Sequence, residues 1–223
     1  MRTIIIGGGN SVAEGISKGL WDKIKGKEIW SLNSVYKVMP YLPTKQIWVD
    51  IEFFNHEVAN LQKLYDQGVK LVCKNHNRFA ALKDYIEVYP VSRERERYWG
   101  KQAIEKNEIF YGFMGLSGTF ALSYAIAKGY KEIFLLGYDF GTKSLEDKNT
   151  HFYQDQIAQL NIVSSGATRP EVYLLPKNEI NPQIEDYGVF LKEEDVKIYN
   201  VSMHSNIDYF QKITYERFFD YVH

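Results

Sequence analysis

Short apolar runs alternate with stretches of helical periodicity through the first two thirds of the chain. Thr3–Ile6, Glu28–Leu32, Gln46–Ile51 and Val69–Lys74 are apolar runs of strand length, and Ile86–Val91 is a fifth candidate. Between them, Ser11 and Glu14 have the spacing of a capping box, with Ser11 as the cap. Val12, Ile16 and Leu20 follow at four-residue spacing. His56–Asp66 reads as a second helix, with Val58, Leu61 and Leu64 inward and Gly68 closing it. The alternation predicts an α/β fold, Rossmann-like, with a mostly parallel sheet and helices on both faces.

The stretch from Gly115 to Gly141 repeats that pattern most clearly. Ser117-Gly118 opens a helix over 117–128, where a small residue and a glycine permit close approach to backbone N–H groups. Gly129 stops the helix at a position suited to positive φ. Glu132–Leu136 is a strand buried on both faces, and Gly137–Gly141 lies at its carboxyl end, where open α/β sheets bind ligands. Beyond Gly141 the pattern weakens. The polar segment 142–170 reads as a lid or small insertion. Val172–Leu175 and Val196–Tyr199 read as further strands, and Thr214–Val222 as an amphipathic helix. The whole, 1–223, is expected to be a single Rossmann-like nucleotide-binding domain.

Composition narrows the partners. With 27 basic and 28 acidic residues the formal charge is −1, which offers no electrostatic drive toward nucleic acid or an anionic membrane. The 17 tyrosines and 13 phenylalanines suit ligand stacking, a homo-oligomer interface or ordinary packing. Cys73, the single cysteine, sits in an apolar run and reads as a buried thiol. No apolar run reaches membrane-spanning length and no leader precedes the first strand, so a cytoplasmic location is expected.

The first turn, Gly7-Gly8-Gly9-Asn10-Ser11-Val12, has the context of an anion-binding turn. It departs from the dinucleotide fingerprint, since Val12 replaces the third glycine and Asn33 stands where the ribose-binding acid belongs. No Gly-Lys-Ser/Thr follows, so it is not a Walker loop either. A turn that merely joins strand to helix fits equally well. Asn10, Ser11 and Asn33 are neutral groups suited to a base, ribose or sugar. Asp50, Glu52 and Asp139 end strands and could hold Mg²⁺ with phosphates, or accept loop N–H bonds. Tyr138 and Tyr153 are further candidates to line the ligand. His151 and Asp155 are candidates for a general base. Asn200–Ser205 either caps the last turn or lines the site. The run Arg93–Arg97 alternates in sign and reads as a solvated face.

Gly7–Val12, Ser31-Leu32-Asn33, Val49–Phe54, Ser117-Gly118 and Gly137-x-Asp139-Phe140 together resemble the bacterial lipooligosaccharide sialyltransferases. They also resemble the wider Rossmann-like family of motility accessory factors, 6-hydroxymethylpterin diphosphokinases and phage-encoded members. The resemblance covers 3–54 and 109–155, and Tyr199–Ile213 in some members. It implies that Gly8, Gly9, Asn33, Asp50, Ser117 and Gly118 line a nucleotide site. Asp155 stands where those enzymes carry a histidine base, His151 lies four residues earlier, and Phe152 replaces a phosphate-holding tyrosine.

Three functions follow as expectations. The first is a nucleotide-sugar-dependent glycosyltransferase that takes a mononucleotide or CMP-sugar-type donor, with no cofactor or metal required. The second is a Mg²⁺-dependent diphosphokinase using Asp50, Glu52 and Asp139. The third is a non-catalytic accessory protein, acting in the host cytoplasm if phage-encoded.

Overall fold

The computed structural model describes residues 1–74, 86–89, 91–92, 109–110, 117–140, 151–153 and 195–223. Asp155, His76, Arg93–Arg97, Val172–Leu175 and nearly all of the expected lid lie outside these residues. In chain order the elements are β1 (Arg2–Ile6), α1 (Ser11–Ser17), α2 (Leu20–Ile24), β2 (Ile29–Leu32), a 3-10 turn (Asn33–Lys37), β3 (Lys45–Trp48), α3 (Ile51–Asp66), β4 (Lys70–Lys74) and β5 (Ile86–Tyr89). There follow β6 (Val91–Ser92), β7 (Ile109–Phe110), α4 (Ser117–Ala127), β8 (Glu132–Leu136), β9 (Lys197–Asn200), β10 (Gln211–Lys212) and α5 (Tyr215–Val222).

Eight strands form one sheet in the order β10-β9-β8-β1-β2-β3-β4-β5, and every pair in it is parallel. Strands β6 and β7 pair separately, also in parallel. The α/β, Rossmann-like architecture read from the sequence is therefore the one found. Alternation along each strand sorts the core onto two faces. Ile5, Trp30, Leu32, Ile47, Ile133 and Leu135 pack with α4. Ile4, Ile6, Phe134 and Leu136 pack with α1, α2 and α5. Trp48, Leu71 and Cys73 pack with α3. Cys73 is fully buried, which pushes its thiol up to about 12 and leaves it a protonated apolar group.

Helix α4 is buried almost all round, including Ser117, Thr119 and Ser123, as suits a helix sunk between layers. It ends at Gly129, whose φ is +80°, as its sequence predicts. Helix α5 begins under a Thr214 side chain that accepts from the Arg217 N–H at 3.3 Å. It buries Tyr215, Phe218, Phe219 and Val222.

Two local expectations are corrected. Strand β3 stops at Trp48 and α3 starts at Ile51, five residues earlier than the sequence pattern places it, because Asp50 caps the helix. The buried stripe is then Phe53, Phe54, Glu57, Leu61 and Leu64. Val58 lies about 90° from its centre at 100° per residue and is 43% exposed. The capping box also fails. Ser11 is the first helical residue, Asn10 occupies the cap position, and Asn10 makes no side-chain cap bond. The Ser11 N–H is met by Asp139 from the loop after β8 instead, and the Val12 and Ala13 N–H groups by the Gly9 and Asn10 carbonyls.

Candidate functional site

Strand order decides where a ligand can enter. From β1 the chain runs outward through β2, β3, β4 and β5, whereas β8, β9 and β10 continue on β1's other side. The reversal falls between β1 and β8, and the crevice beyond their carboxyl ends is the place where such sheets bind ligands. The Gly7–Ser11 turn leaves β1 there and the Gly137–Phe140 loop leaves β8.

These two loops are bound to each other. Gly9 N–H donates to the Gly137 carbonyl at 3.0 Å, and Gly7 N–H to the Leu136 carbonyl at 2.8 Å. Asp139 takes the Ser11 N–H at 2.7 Å and the Ser11 hydroxyl at 2.5 Å. A carboxylate thus already fills the anion position at the start of α1. A ligand phosphate at that point would meet like charge. Gly137 and Phe140 have φ of +69° and +47°. A non-glycine residue held at positive φ costs roughly 1–3 kcal/mol and is a recurrent feature of functional loops.

The β8 loop is gripped from its far side by the segment after β9. The Tyr138 carbonyl accepts from the Ser205 hydroxyl at 2.6 Å and from Asn200 Nδ2 at 3.2 Å. Asn206 donates from its N–H to the Asp139 carbonyl at 2.8 Å and from Nδ2 to the Phe140 carbonyl at 2.9 Å. Asn200–Ser205 could equally have capped the last turn on sequence grounds; here it buttresses a site loop.

A second group gathers beyond β2. Asn33 has φ +49°, and its Oδ1 accepts from the Ser117 hydroxyl at 2.9 Å. Its carbonyl accepts from Gln46 Nε2 at 2.9 Å, and Gln46 Oε1 in turn accepts from the Ser31 hydroxyl. Asn33 and Ser117, far apart in sequence, are therefore joined. Gln46 is fully buried, and nothing in its strand pattern distinguishes it from a packing residue. Gly118 lies under Tyr138, where a Cβ would stand 3.0 Å from the ring, and the Tyr138 hydroxyl donates to the Gly118 carbonyl at 3.1 Å.

Other candidates take structural places. Asp50 Oδ1 accepts from the Glu52 N–H at 2.8 Å, capping α3. Asp50 leaves β3 and Asp139 leaves β8, three strand spacings apart, or about 14 Å. Among the described residues no group of three or more His, Cys, Asp or Glu is arranged to hold a metal ion. Tyr138 and Tyr153 are buried in the core clusters, which favours packing over stacking on a ligand.

The fold has a solved counterpart. The structure of the MAf glycosyltransferase from Magnetospirillum magneticum AMB-1 superposes with a TM-score of 0.57 at 14% identity. The match takes in 96% of this chain and 34% of that one, so this chain spans about a third of its length. No protein-family model matches the chain. No curated protein matches it. The likeness is to the fold of a glycosyltransferase-bearing protein.

Within that fold, His151 closes over the first turn. Its ring sits where a Gly8 side chain would project, and Phe152 N–H donates to the Gly8 carbonyl at 2.9 Å. The Tyr153 ring centroid lies 5.2 Å from the imidazole. Gly8 is small because a histidine of this chain seats on it. Burial pushes the His151 pKa down to about 4, so the ring is neutral at pH 7. The unfolded chain, with an ordinary histidine near 6.5, binds the proton more readily. The stabilising contribution of this site is therefore complete above that value and is lost as pH falls toward 4. Unfolding at pH 5 is expected to take about 2 kcal/mol less than at pH 7 from this group. Chemical denaturation at the two pH values checks this. His151→Asn should flatten the difference, and an unchanged difference would discard the assignment.

Proposed function

We propose that this chain is a glycosyltransferase-like protein that takes a mononucleotide or a CMP-sugar-type donor at the carboxyl ends of its strands. The observation that carries this is the Asn33–Ser117 pair. A strained asparagine at the end of β2, the strand next to β1, is bonded to the first residue of α4, and the second residue of α4, Gly118, lies under Tyr138 of the β8 loop. The glycosyltransferase fold of the similar structure supports it. Base or ribose would lie along Asn33. The donor phosphate would lie toward Ser117–Gly118, since Asp139 holds the start of α1.

His151 would serve as base. In transfer, the bond from the anomeric carbon to the phosphate oxygen breaks and the nucleotide leaves with the electron pair. The acceptor hydroxyl oxygen forms the new bond and its proton passes to the imidazole. A nearby anionic donor would raise the His151 pKa toward the useful range. Asp155 is the other proposed base. A diphosphokinase reading is less favoured, because Asp50, Glu52 and Asp139 do not gather into one metal site.

Thermal shift with CMP, CDP, UDP, GDP and ATP, each with and without Mg²⁺, tests the reading. Stabilisation by a pyrimidine nucleotide without metal, lost in Asn33→Ala and Ser117→Ala, is expected. A response only to ATP with Mg²⁺ would transfer the case to phosphoryl transfer. No response to any of them removes both readings. Binding without transfer, unaffected by substituting His151 and Asp155 together, would mark an accessory protein.

A further inference from the structure

Glu57 is a carboxylate 4% exposed on α3, in a helix stripe otherwise made of phenylalanine and leucine. Its oxygens are fully engaged. Oε1 accepts from Lys37 Nζ, and Oε2 accepts from the Tyr36 hydroxyl at 2.6 Å and from Asn60 Nδ2 at 2.9 Å. The Lys37 and Glu57 side chains are only 7% and 5% exposed. Burial would raise the Glu57 pKa, but the bonds from Lys37, Tyr36 and Asn60 outweigh it and hold the carboxyl below the usual glutamate range. An ion pair so buried gains little net stability over apolar packing, so its retention asks for another reason.

That reason lies in what it holds. Tyr36 and Lys37 are the last two residues of the 3-10 turn that Asn33 begins. Asn33 itself is held at its carbonyl by Gln46 and at its side chain by Ser117. The turn is thus anchored from β3, from α4 and, at its far end, from α3. We propose that Glu57 is a positioning residue for the strand-end site: through Tyr36 and Lys37 it fixes the 33–37 turn and so keeps Asn33 in its left-handed conformation facing Ser117. This rests on reading Asn33 and Ser117 as ligand-binding groups, and it extends the site to a residue that touches neither ligand nor crevice.

A second ion pair in the same molecule provides the control. Glu28 accepts from Lys45 Nζ, from Trp30 Nε1 at 2.8 Å and from the Tyr130 hydroxyl at 2.9 Å, at the amino ends of β2 and β3. It lies at the opposite end of the strands from Asn33. If the Glu57 bonds act only where they are made, Glu57→Gln should disturb Tyr36 and Lys37 yet leave the Asn33 side chain as Glu28→Gln leaves it.

The full chain carrying each substitution is compared by NMR and hydrogen exchange. The Asn33 side-chain amide resonance is identified by its loss in Asn33→Ala. Glu57→Gln is expected to shift that resonance toward free asparagine and to speed exchange across 33–38 by about tenfold more than Glu28→Gln does. Tyr36→Phe, a milder change, should act in the same direction. Movement of Asn33 in Glu57→Gln no greater than in Glu28→Gln overturns the proposal. In a CMP titration, affinity should fall about tenfold in Glu57→Gln and stay unchanged in Glu28→Gln. A wild-type chain indifferent to CMP counts against the nucleotide reading, while the Asn33 resonance still decides the positioning role.

Discussion

Phe134→Ala is expected to lower the free energy of unfolding by about 3–5 kcal/mol. Phe134 sits in the middle of β8, fully buried, and no other strand lies closer to the centre of the fold than its neighbour β1. Its ring centroid is 5.2 Å from Tyr199, 5.1 Å from Phe218 and 5.7 Å from Tyr221, and the Arg2 guanidinium lies over it at 5.7 Å. Removing the ring takes away one member of every pair and leaves a cavity between β8, β9 and α5 that backbone-held neighbours fill poorly. A domain is stable by only about 5–15 kcal/mol, so the loss is a large share of the total. The midpoint should fall by roughly 10 °C. A fall of less than about 3 °C would show that α5 closes onto the sheet without the ring.

Gly9→Ala is expected to damage fold and site together. A Cβ there would stand 2.6 Å from the Gly137 carbonyl oxygen and 2.7 Å from the Asp139 carboxylate. The first obstacle is backbone and cannot rotate away. The second is the group that bonds Ser11. Relief requires parting the β1 and β8 loops or releasing the Asp139–Ser11 bonds. Overpacking and the lost charge-assisted bonds together amount to about 3 kcal/mol. Because both loops border the crevice, any nucleotide-induced stabilisation should vanish at the same time. Denaturation with and without the stabilising nucleotide measures both. A variant as stable as wild type, with ligand response intact, would mean that the two loops part without consequence.

Much of the architecture was legible in the residue pattern. Runs such as Glu132–Leu136 are too apolar for a half-exposed strand, and a sheet covered on both sides explains them. Gly129 announced the end of α4, and its positive φ bears that out. Where the reading slipped, at the start of α3 and at the first helix cap, a side chain's partner decided the outcome. Asp50 looked like a site acid and caps α3. Ser11 looked like a cap and bonds Asp139 across the crevice. Residue type states which bonds a group can make, whereas position in space selects among them.

The candidate site shows the same division. Asn33, Ser117 and Asp139 stand out along the chain because polar residues follow apolar runs or glycine turns there, and His151 because a histidine lies near an aspartate in a polar segment. Gln46 and Glu57 do not, since a buried polar residue inside an amphipathic pattern carries no local mark. By itself the sequence determined the alternation of strands and helices, the parallel sheet and the strand ends at which polar chemistry collects. Those properties follow from the period and hydrophobicity of each segment, which are local. Only the tertiary structure decided that Asp139 answers Ser11, that Asn33 answers Ser117, that His151 seats on Gly8 and that Glu57 anchors the Asn33 turn. Each of those pairs spans distant parts of the chain, and only strand order together with the packing of helices and loops on the sheet brings them within bonding distance.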